Sequence, residues 1–381
     1  MKDTVTGSWR HYDVHGLLGV RVRNSTPSAE QLDNVLAPFA TRDSVPADLV
    51  VTGDRELLHE ATDVDGVLRF TDDTVELVRD RVQVQRTESG FKVCGPGQLL
   101  DAVTAVLDVQ AVERGAAMFR GVTVAFQGAG VAMPATRGSW RSTTIAKLMK
   151  HPGYSFMGDD WAFVKNDSEQ LGFAKPMSIE PGHQRMYPHL YEEAGKSLIP
   201  AGLSAPVRRM TTAAHPYIVR QPRLANLARR WSPDRSLVSA GTALPDTLIT
   251  DRAALELSIF VERYDGARTT VTQCHADSMV DRMMGNYQFE MPRASRDVVN
   301  AMDAALIVSA HRNASRKTAI LRQALELSPC YVVRVPSALT DDDASDDLIY
   351  QVEELIRRHD LGLQAKTIDL NGHVRATSEA L

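Results

Sequence analysis

Hydrophobic and polar positions alternate with a period of two in short runs over the first third of the chain. These runs predict strands near the end of His15–Arg23, at Leu49–Thr52, at Val75–Val78 and at Val82–Gln85. A turn at Ser89–Gly90 leads into a further strand, Phe91–Cys94, and Gln98–Leu107 then switches to helical spacing after Gly95-Pro96-Gly97. The texture changes near residue 112. Gly121–Phe126 and Val131–Pro134 predict two strands joined by the hairpin-length turn Gln127–Gly130. A small polar loop from Ala135 to Arg141 precedes a helix that begins near Ser142, runs through Ile145, Leu148 and Met149, and stops at His151-Pro152-Gly153. The next strand, Tyr154–Gly158, is expected to end at Asp159-Asp160. Leu255–Glu262 alternates like a strand, Ala314–Leu327 has helical spacing, and Tyr331–Val335 reads as a core strand. The acidic run Asp341–Asp347 stands before an amphipathic helix carrying Leu348, Ile349, Val352, Leu355 and Ile356; acids there complement the helix dipole.

This order predicts a mixed α/β (α+β) chain with an N-terminal α+β unit over 1–110, a core over 111–340 and a C-terminal helix and tail over 341–381. The chain has 381 residues, 43% of them hydrophobic and 24% charged, which is globular composition. Forty-three basic against 48 acidic residues leave a net charge of −5, so no global positive field favours nucleic acid. The three cysteines, Cys94, Cys274 and Cys330, form no CxxC, which disfavours a disulfide framework or structural zinc and points to a reducing, cytoplasmic setting. No apolar leader opens the sequence, and no run reaches the ~18 apolar residues of a membrane helix.

The chemistry concentrates in one order of parts: strand, small polar loop, helix start at Arg141-Ser142-Thr143-Thr144, then a strand ending in two aspartates. A phosphate-binding loop sets backbone N–H groups and a helix N-terminus around an anion, adds a cation, and offers a hydroxyl to Mg²⁺. A second strand gives a carboxylate to the same metal. The pattern G-x-x-x-x-G-K-[ST] falls on Ala135–Ser142, where Ala135 and Trp140 replace the flanking glycines and Arg141 replaces the lysine. Gly138 and the hydroxyls of Ser142 and Thr143 remain.

Residues 121–164, with Met157-Gly158-Asp159-Asp160, resemble the HPr kinase/phosphorylase-like kinases, relatives of the phosphoenolpyruvate carboxykinase fold. Lys175–Gly182, Ser328–Arg334 and the opening Tyr12–Leu17 are similar to other parts of that family, more loosely. The resemblance implies an HPr-kinase C-terminal, carboxykinase-like P-loop core and an ATP- or other nucleoside-triphosphate-dependent kinase with Mg²⁺. Thr136, Arg137, Gly138, Ser139, Trp140, Arg141, Ser142 and Thr143 then hold the phosphates, and Ser142 with Asp160 holds the metal. Asp159 is the expected base toward the acceptor hydroxyl, and Arg141 carries the lysine's role. The acceptor is a hydroxyl of a small molecule (amino acid, sugar or cyclitol) or a protein serine; neither nucleic acid nor membrane is implied, and a homo-oligomer stays open. The departures at Trp140 and Arg141 favour a second reading, a nucleotide-sensing or partner-binding relative that has lost transfer. Keeping two carboxylates at a strand end favours the enzyme, because such groups are costly to desolvate.

Weaker signals are set aside or left open. Pro206–Arg235 carries seven arginines and one acid, which reads either as an anion site or as a solvated loop. Gly128-Ala129-Gly130 lacks the third glycine of a dinucleotide fingerprint, and no G-x-S-x-G or H-E-x-x-H occurs. His183, His189, Glu192 and Glu193 fit no metal-ligand spacing, and the adjacent Cys274 and His275 point apart. Lys147 and Lys150 are expected to be solvated.

Overall fold

The computed structural model describes residues 8–26, 28–55, 57–136, 141–179, 186–192 and 236–361. The chain is mixed α/β. Its elements are β1 (Trp9–Val14), β2 (Leu18–Arg23), α1 (Ala29–Leu36), β3 (Ala40–Thr41), β4 (Leu49–Thr52), β5 (Thr62–Val64), β6 (Leu68–Phe70), β7 (Thr74–Leu77), β8 (Val82–Thr87), β9 (Gly90–Cys94) and α2 (Leu100–Glu113). There follow β10 (Ala116–Phe126), β11 (Ala129–Pro134), α3 (Arg141–Leu148), β12 (Tyr154–Lys165), β13 (Glu169–Leu171), β14 (Met177–Ile179), α4 (Pro188–Glu192), β15 (Ser236–Val238) and α5 (Ala240–Ala243). The last are β16 (Arg252–Tyr264), β17 (Thr270–Cys274), α6 (Ala276–Glu290), α7 (Arg293–Ala304), α8 (Ala310–Leu325), β18 (Cys330–Pro336) and α9 (Asp341–Arg358).

Among the described residues the first sheet has nine strands in the order β3-β1-β2-β4-β9-β8-β7-β6-β5. The second has seven, β11-β10-β12-β13-β16-β18-β17, and β11 also pairs in parallel with β16, so β10, β11, β12, β13 and β16 close on themselves. α2 is buried on almost every side, which an apolar stripe alone does not announce. It packs against β10, α7 and α8. One apolar core therefore runs from Tyr12 and Val51 through Val106 to Trp161, Tyr287 and Met302.

By contact density the chain divides into 1–175 with 248–381 as one compact unit and 176–247 as another. The core just described joins residues on both sides of position 110. Among the described residues no helix is long and apolar enough to cross a membrane.

The hairpin β10–β11 and the helix after it stand where the alternation placed them. The strand carrying the aspartates does not stop at them. β12 runs twelve residues, and Asp159 and Asp160 lie in its middle, opposite Val122 and Gly121 of β10. The strand survives the polar pair because it bends there. The register slips at Met157, which has no partner between Gly158↔Thr123 and Phe156↔Val124, and Asp160 adopts φ +88°.

Candidate functional site

Arg120 sits near the middle of β10, whose other residues are apolar or small apart from Thr123. A buried guanidinium must be paired, and three groups meet it. It forms an ion pair with Asp160, lies 4.7 Å over the Trp161 ring, and donates to the Glu290 carbonyl at 2.5 Å. The Glu290 carboxylate is 3.7 Å away. Asn286 holds the same region by donating to the Arg120 carbonyl at 3.4 Å and to the Ala135 carbonyl at 3.1 Å, which ties α6 to the start of the polar loop.

Asp160 is the centre of the cluster. Besides Arg120 it pairs with Lys175, which donates to its other oxygen, and Arg141 Nη1 stands 3.7 Å away. One carboxylate thus faces three cations drawn from β10, the segment after β13, and the first residue of α3. A left-handed φ on a non-glycine residue costs about 1–3 kcal/mol and persists where surrounding contacts impose it; these ion pairs are such contacts. Burial pushes the Lys175 ammonium down to about 8, against the pull of Asp159 and helped by the positive charges of Arg120 and Arg141. Arg141 Nη1 is buried and has no hydrogen-bond acceptor among the described residues.

Close backbone approach makes this geometry possible. A Cβ on Gly172 would stand 2.6 Å from the Met157 carbonyl, so only glycine lets the segment leading to Lys175 press onto β12. Gly158 and Phe173 pair as an isolated parallel bridge, and Thr250 N–H donates to the Phe156 carbonyl at 2.9 Å.

Of the residues expected in the site, the structure joins Arg141 to Asp160. Ser142 and Thr143 follow Arg141 in the first turn of α3, Thr143 being buried. Thr136 ends the described part of the loop; Arg137, Gly138, Ser139 and Trp140 lie outside the described residues. Asp159 is half-buried beside the cluster and acts electrostatically on Lys175.

Lys147 departs from expectation. Its ammonium donates to Asp346 at 2.8 Å and to the Asp342 carbonyl at 3.0 Å. Burial lowers its pKa, but the hydrogen bonds to Asp346 and Asp342 outweigh that and raise it. The acidic run is itself the start of α9, capped by Thr340, rather than a segment before the helix, and it anchors α3. Lys150 is exposed as expected.

His189 contacts the Thr242 carbonyl at 3.0 Å within the 176–247 unit; His183, Glu193 and the arginines of 208–235 lie outside the described residues. Cys274 faces Cys330 across β17–β18.

Two residues escaped the motif reading. Arg120 carried a signal: a lone charge within an apolar strand run asks for a buried partner. Lys175 carried none in spacing, since its partner lies fifteen residues back across a turn. No protein-family model and no curated protein sequence matches the chain.

Proposed function

We propose that the chain is an ATP- and Mg²⁺-dependent kinase that transfers a phosphoryl group to a hydroxyl of a small molecule or a protein serine, built on a core like those of HPr kinase and phosphoenolpyruvate carboxykinase and acting in a reducing cytoplasm. One observation carries the reading: Arg141, at the head of the helix that follows the strand and polar loop, converges with Lys175 on Asp160 while keeping a buried N–H donor without an acceptor among the described residues. A phosphate oxygen supplies the missing acceptor, and charge-assisted hydrogen bonds of this kind are the strong ones. The likeness of residues 121–164 to the kinase block agrees with this.

The residues take distinct parts. Arg141 and Lys175 neutralise phosphate charge, and Lys175 provides the compact ammonium that the loop pattern lacks at position 141. Arg120 positions Asp160 through its ion pair and its anchorage on Trp161 and Glu290. Asp159 takes the proton from the acceptor oxygen as that oxygen attacks phosphorus. The donors offered to a metal, the Ser142 hydroxyl and the Asp160 carboxylate, are oxygens, which fit Mg²⁺ bound jointly by protein and phosphates. Bound there, Mg²⁺ supplies charge neutralisation on the phosphates.

A second reading has its own support. Asp160 is already held by Arg120 and Lys175, as it would be in a nucleotide-sensing module that no longer transfers. A thermal-shift panel of nucleotides with and without Mg²⁺ tests the shared premise, because a ligand of the native state must raise its stability. The expected result is stabilisation by ATP that Arg141→Ala weakens about 10–100-fold while adenosine is unaffected, the loss of a hydrogen bond to a charged group. No stabilisation by any nucleotide ends both readings. Binding of ATP with no phosphate uptake by any hydroxylated amino acid, sugar, cyclitol or serine-bearing protein selects the second.

A further inference from the structure

Within the larger compact unit, a cleft of about 360 Å³ is walled by Asp13, His15, Phe39, Met157, Asp251 and Arg252. That volume lies in the range of about 300–1,000 Å³ typical of small-molecule sites. None of these residues takes part in the proposed phosphate site, yet the two places share two stretches of chain. Met157 of the cleft stands two residues before Asp159. Ala174, also in the wall, immediately precedes Lys175. Two residues of strand span about 6.6 Å and one peptide step about 3.8 Å, so along the backbone the wall of the cleft is close to both Asp159 and Lys175.

The wall is firmly built. His15 and Gly16 form the left-handed turn between β1 and β2, at φ +61° and +70°. The turn is held by the Gly16 N–H donating to Asp13 Oδ1 at 2.6 Å and by the His15 imidazole on the Gly172 carbonyl, also 2.6 Å. Arg252 donates to the His15 carbonyl at 2.7 Å and to Glu169 at 3.2 Å, so its cation is committed to the frame. Burial pushes the His15 imidazole below its ordinary value, which favours its neutral form. Asp251, 79% exposed, meets a cation only at 4.0 Å. The charge left for a ligand is therefore that of two carboxylates, Asp13 and Asp251, on a lining whose other face is apolar: Phe39, in edge contact with the His15 ring at 4.9 Å, with Ile249 and Pro38.

We infer that this cleft is the acceptor subsite and takes a neutral polyol, a sugar or cyclitol, whose hydroxyls donate to Asp13 and Asp251 while its C–H face lies on Phe39, Ile249 and Pro38. Carboxylates accept hydroxyl protons and repel acceptors that bring their own carboxylate or phosphate, which disfavours free amino acids and phosphorylated sugars. The acceptor role rests on the kinase reading; polyol binding does not.

Saturation-transfer NMR and calorimetry on the full chain test it, with pentoses, hexoses and inositols as neutral probes and serine and glycerol 3-phosphate as charged comparators. At least one neutral probe is expected to bind. Asp13→Asn and Asp251→Asn should each weaken that binding about 10-fold, the scale of one hydrogen bond to a charged acceptor, while Arg141→Ala leaves it unchanged. Both variants keep side-chain shape, and the amide introduced by Asp13→Asn retains an oxygen for the Gly16 N–H. Binding of the charged comparators alone, no binding by any neutral probe, or affinity unmoved in both variants overturns the inference. ATP binding measured on the same samples separates the two claims. ATP binding without polyol binding removes this subsite and spares the kinase reading. Polyol binding without ATP binding removes the acceptor role and leaves a polyol site.

Discussion

Two buried ion clusters in this molecule are built from the same residue types and differ in almost everything else. In one, Lys317 of α8 and Asp108 of α2 pair at 2.5 Å with their side chains 2% and 3% exposed. Tyr287 of α6 donates to the other Asp108 oxygen at 2.5 Å, and the Lys317 ammonium lies 3.3 Å over the Tyr287 ring. One cation meets one anion, and both carboxylate oxygens are used. In the other, Asp160 is 21% exposed, sits on left-handed backbone, and faces Arg120, Lys175 and Arg141 together. A closed, matched pair is a pin between helices. A carboxylate shared by three cations, one of them at a helix start with a buried Nη1 that has no acceptor among the described residues, is the arrangement the proposed phosphate site rests on.

The sharpest way to break this contrast is to unpair the first cluster. Asp108→Ala strands the Lys317 ammonium in an apolar site, which should cost about 3–5 kcal/mol of stability. Urea unfolding measures it, and Lys317→Met added to Asp108→Leu should recover most of the loss. A variant within about 1 kcal/mol of the parent would show that the pair is no pin. For the second cluster the largest effect belongs to Asp159→Asn, expected to keep nucleotide affinity and to lower turnover about 10²–10⁴-fold. Rate measurements with a productive acceptor decide it, and an unchanged rate removes Asp159 as the base.

How much of this contrast could be read from sequence follows from what each contact depends on. Local features were legible. The β10–β11 hairpin, the start of α3 and the strand β9 follow from alternation and turn residues. Asp159-Asp160 looked like a strand end because two adjacent acids interrupt the apolar run, whereas β10 continues to pair with β12 beyond them. The bend that permits this depends on the Met157 irregularity and on the pairing of Asp160 with Arg120, Lys175 and Arg141, and that pairing leaves no trace in local spacing. The helices over 276–304 do carry helical spacing, Met279, Val280, Met283 and Tyr287 in one and Val298, Ala301 and Met302 in the other, and were legible though unread. Lys317 looks like any helix-surface lysine until α2 and α6 are packed onto it. Chemistry carried by neighbours in sequence was visible, and chemistry assembled by packing was not.

The titration of Lys175 sharpens the comparison further. Its folded-state value near 8 lies below the ordinary 10.5, so between those limits the folded chain binds fewer protons than the unfolded one. This group's contribution to stability therefore rises with pH across roughly 8 to 10.5. Phosphate binding should move the opposite way, because the ammonium that attracts the anion is lost above pH 8. Calorimetric titration of ATP from about pH 7 to 9 should show affinity falling in the parent and a flatter profile in Lys175→Met. Parallel profiles for the two would detach Lys175 from the phosphate.

The smallest effect is expected where a charge contact is partly solvated. Lys147 of α3 bridges Asp342 and Asp346 at the start of α9, with the lysine 18% exposed and the acids 53% and 67% exposed. Exposed acids screen the interaction, and pairs of this kind contribute about 0–1 kcal/mol. The bridge nevertheless joins the helix that begins with Arg141 to α9, assisted by the Thr144 hydroxyl donating to Ser345 at 3.3 Å and by His151 against Glu353 at 2.7 Å. Lys147→Met keeps the aliphatic stem and removes the charge. It should lower stability by no more than about 1 kcal/mol, with the loss shrinking further in about 1 M salt because surface attraction is screened there. Urea unfolding at low and high salt measures both numbers. A loss above about 3 kcal/mol, insensitive to salt, would place Lys147 with Lys317 among the pins and erase the distinction between them.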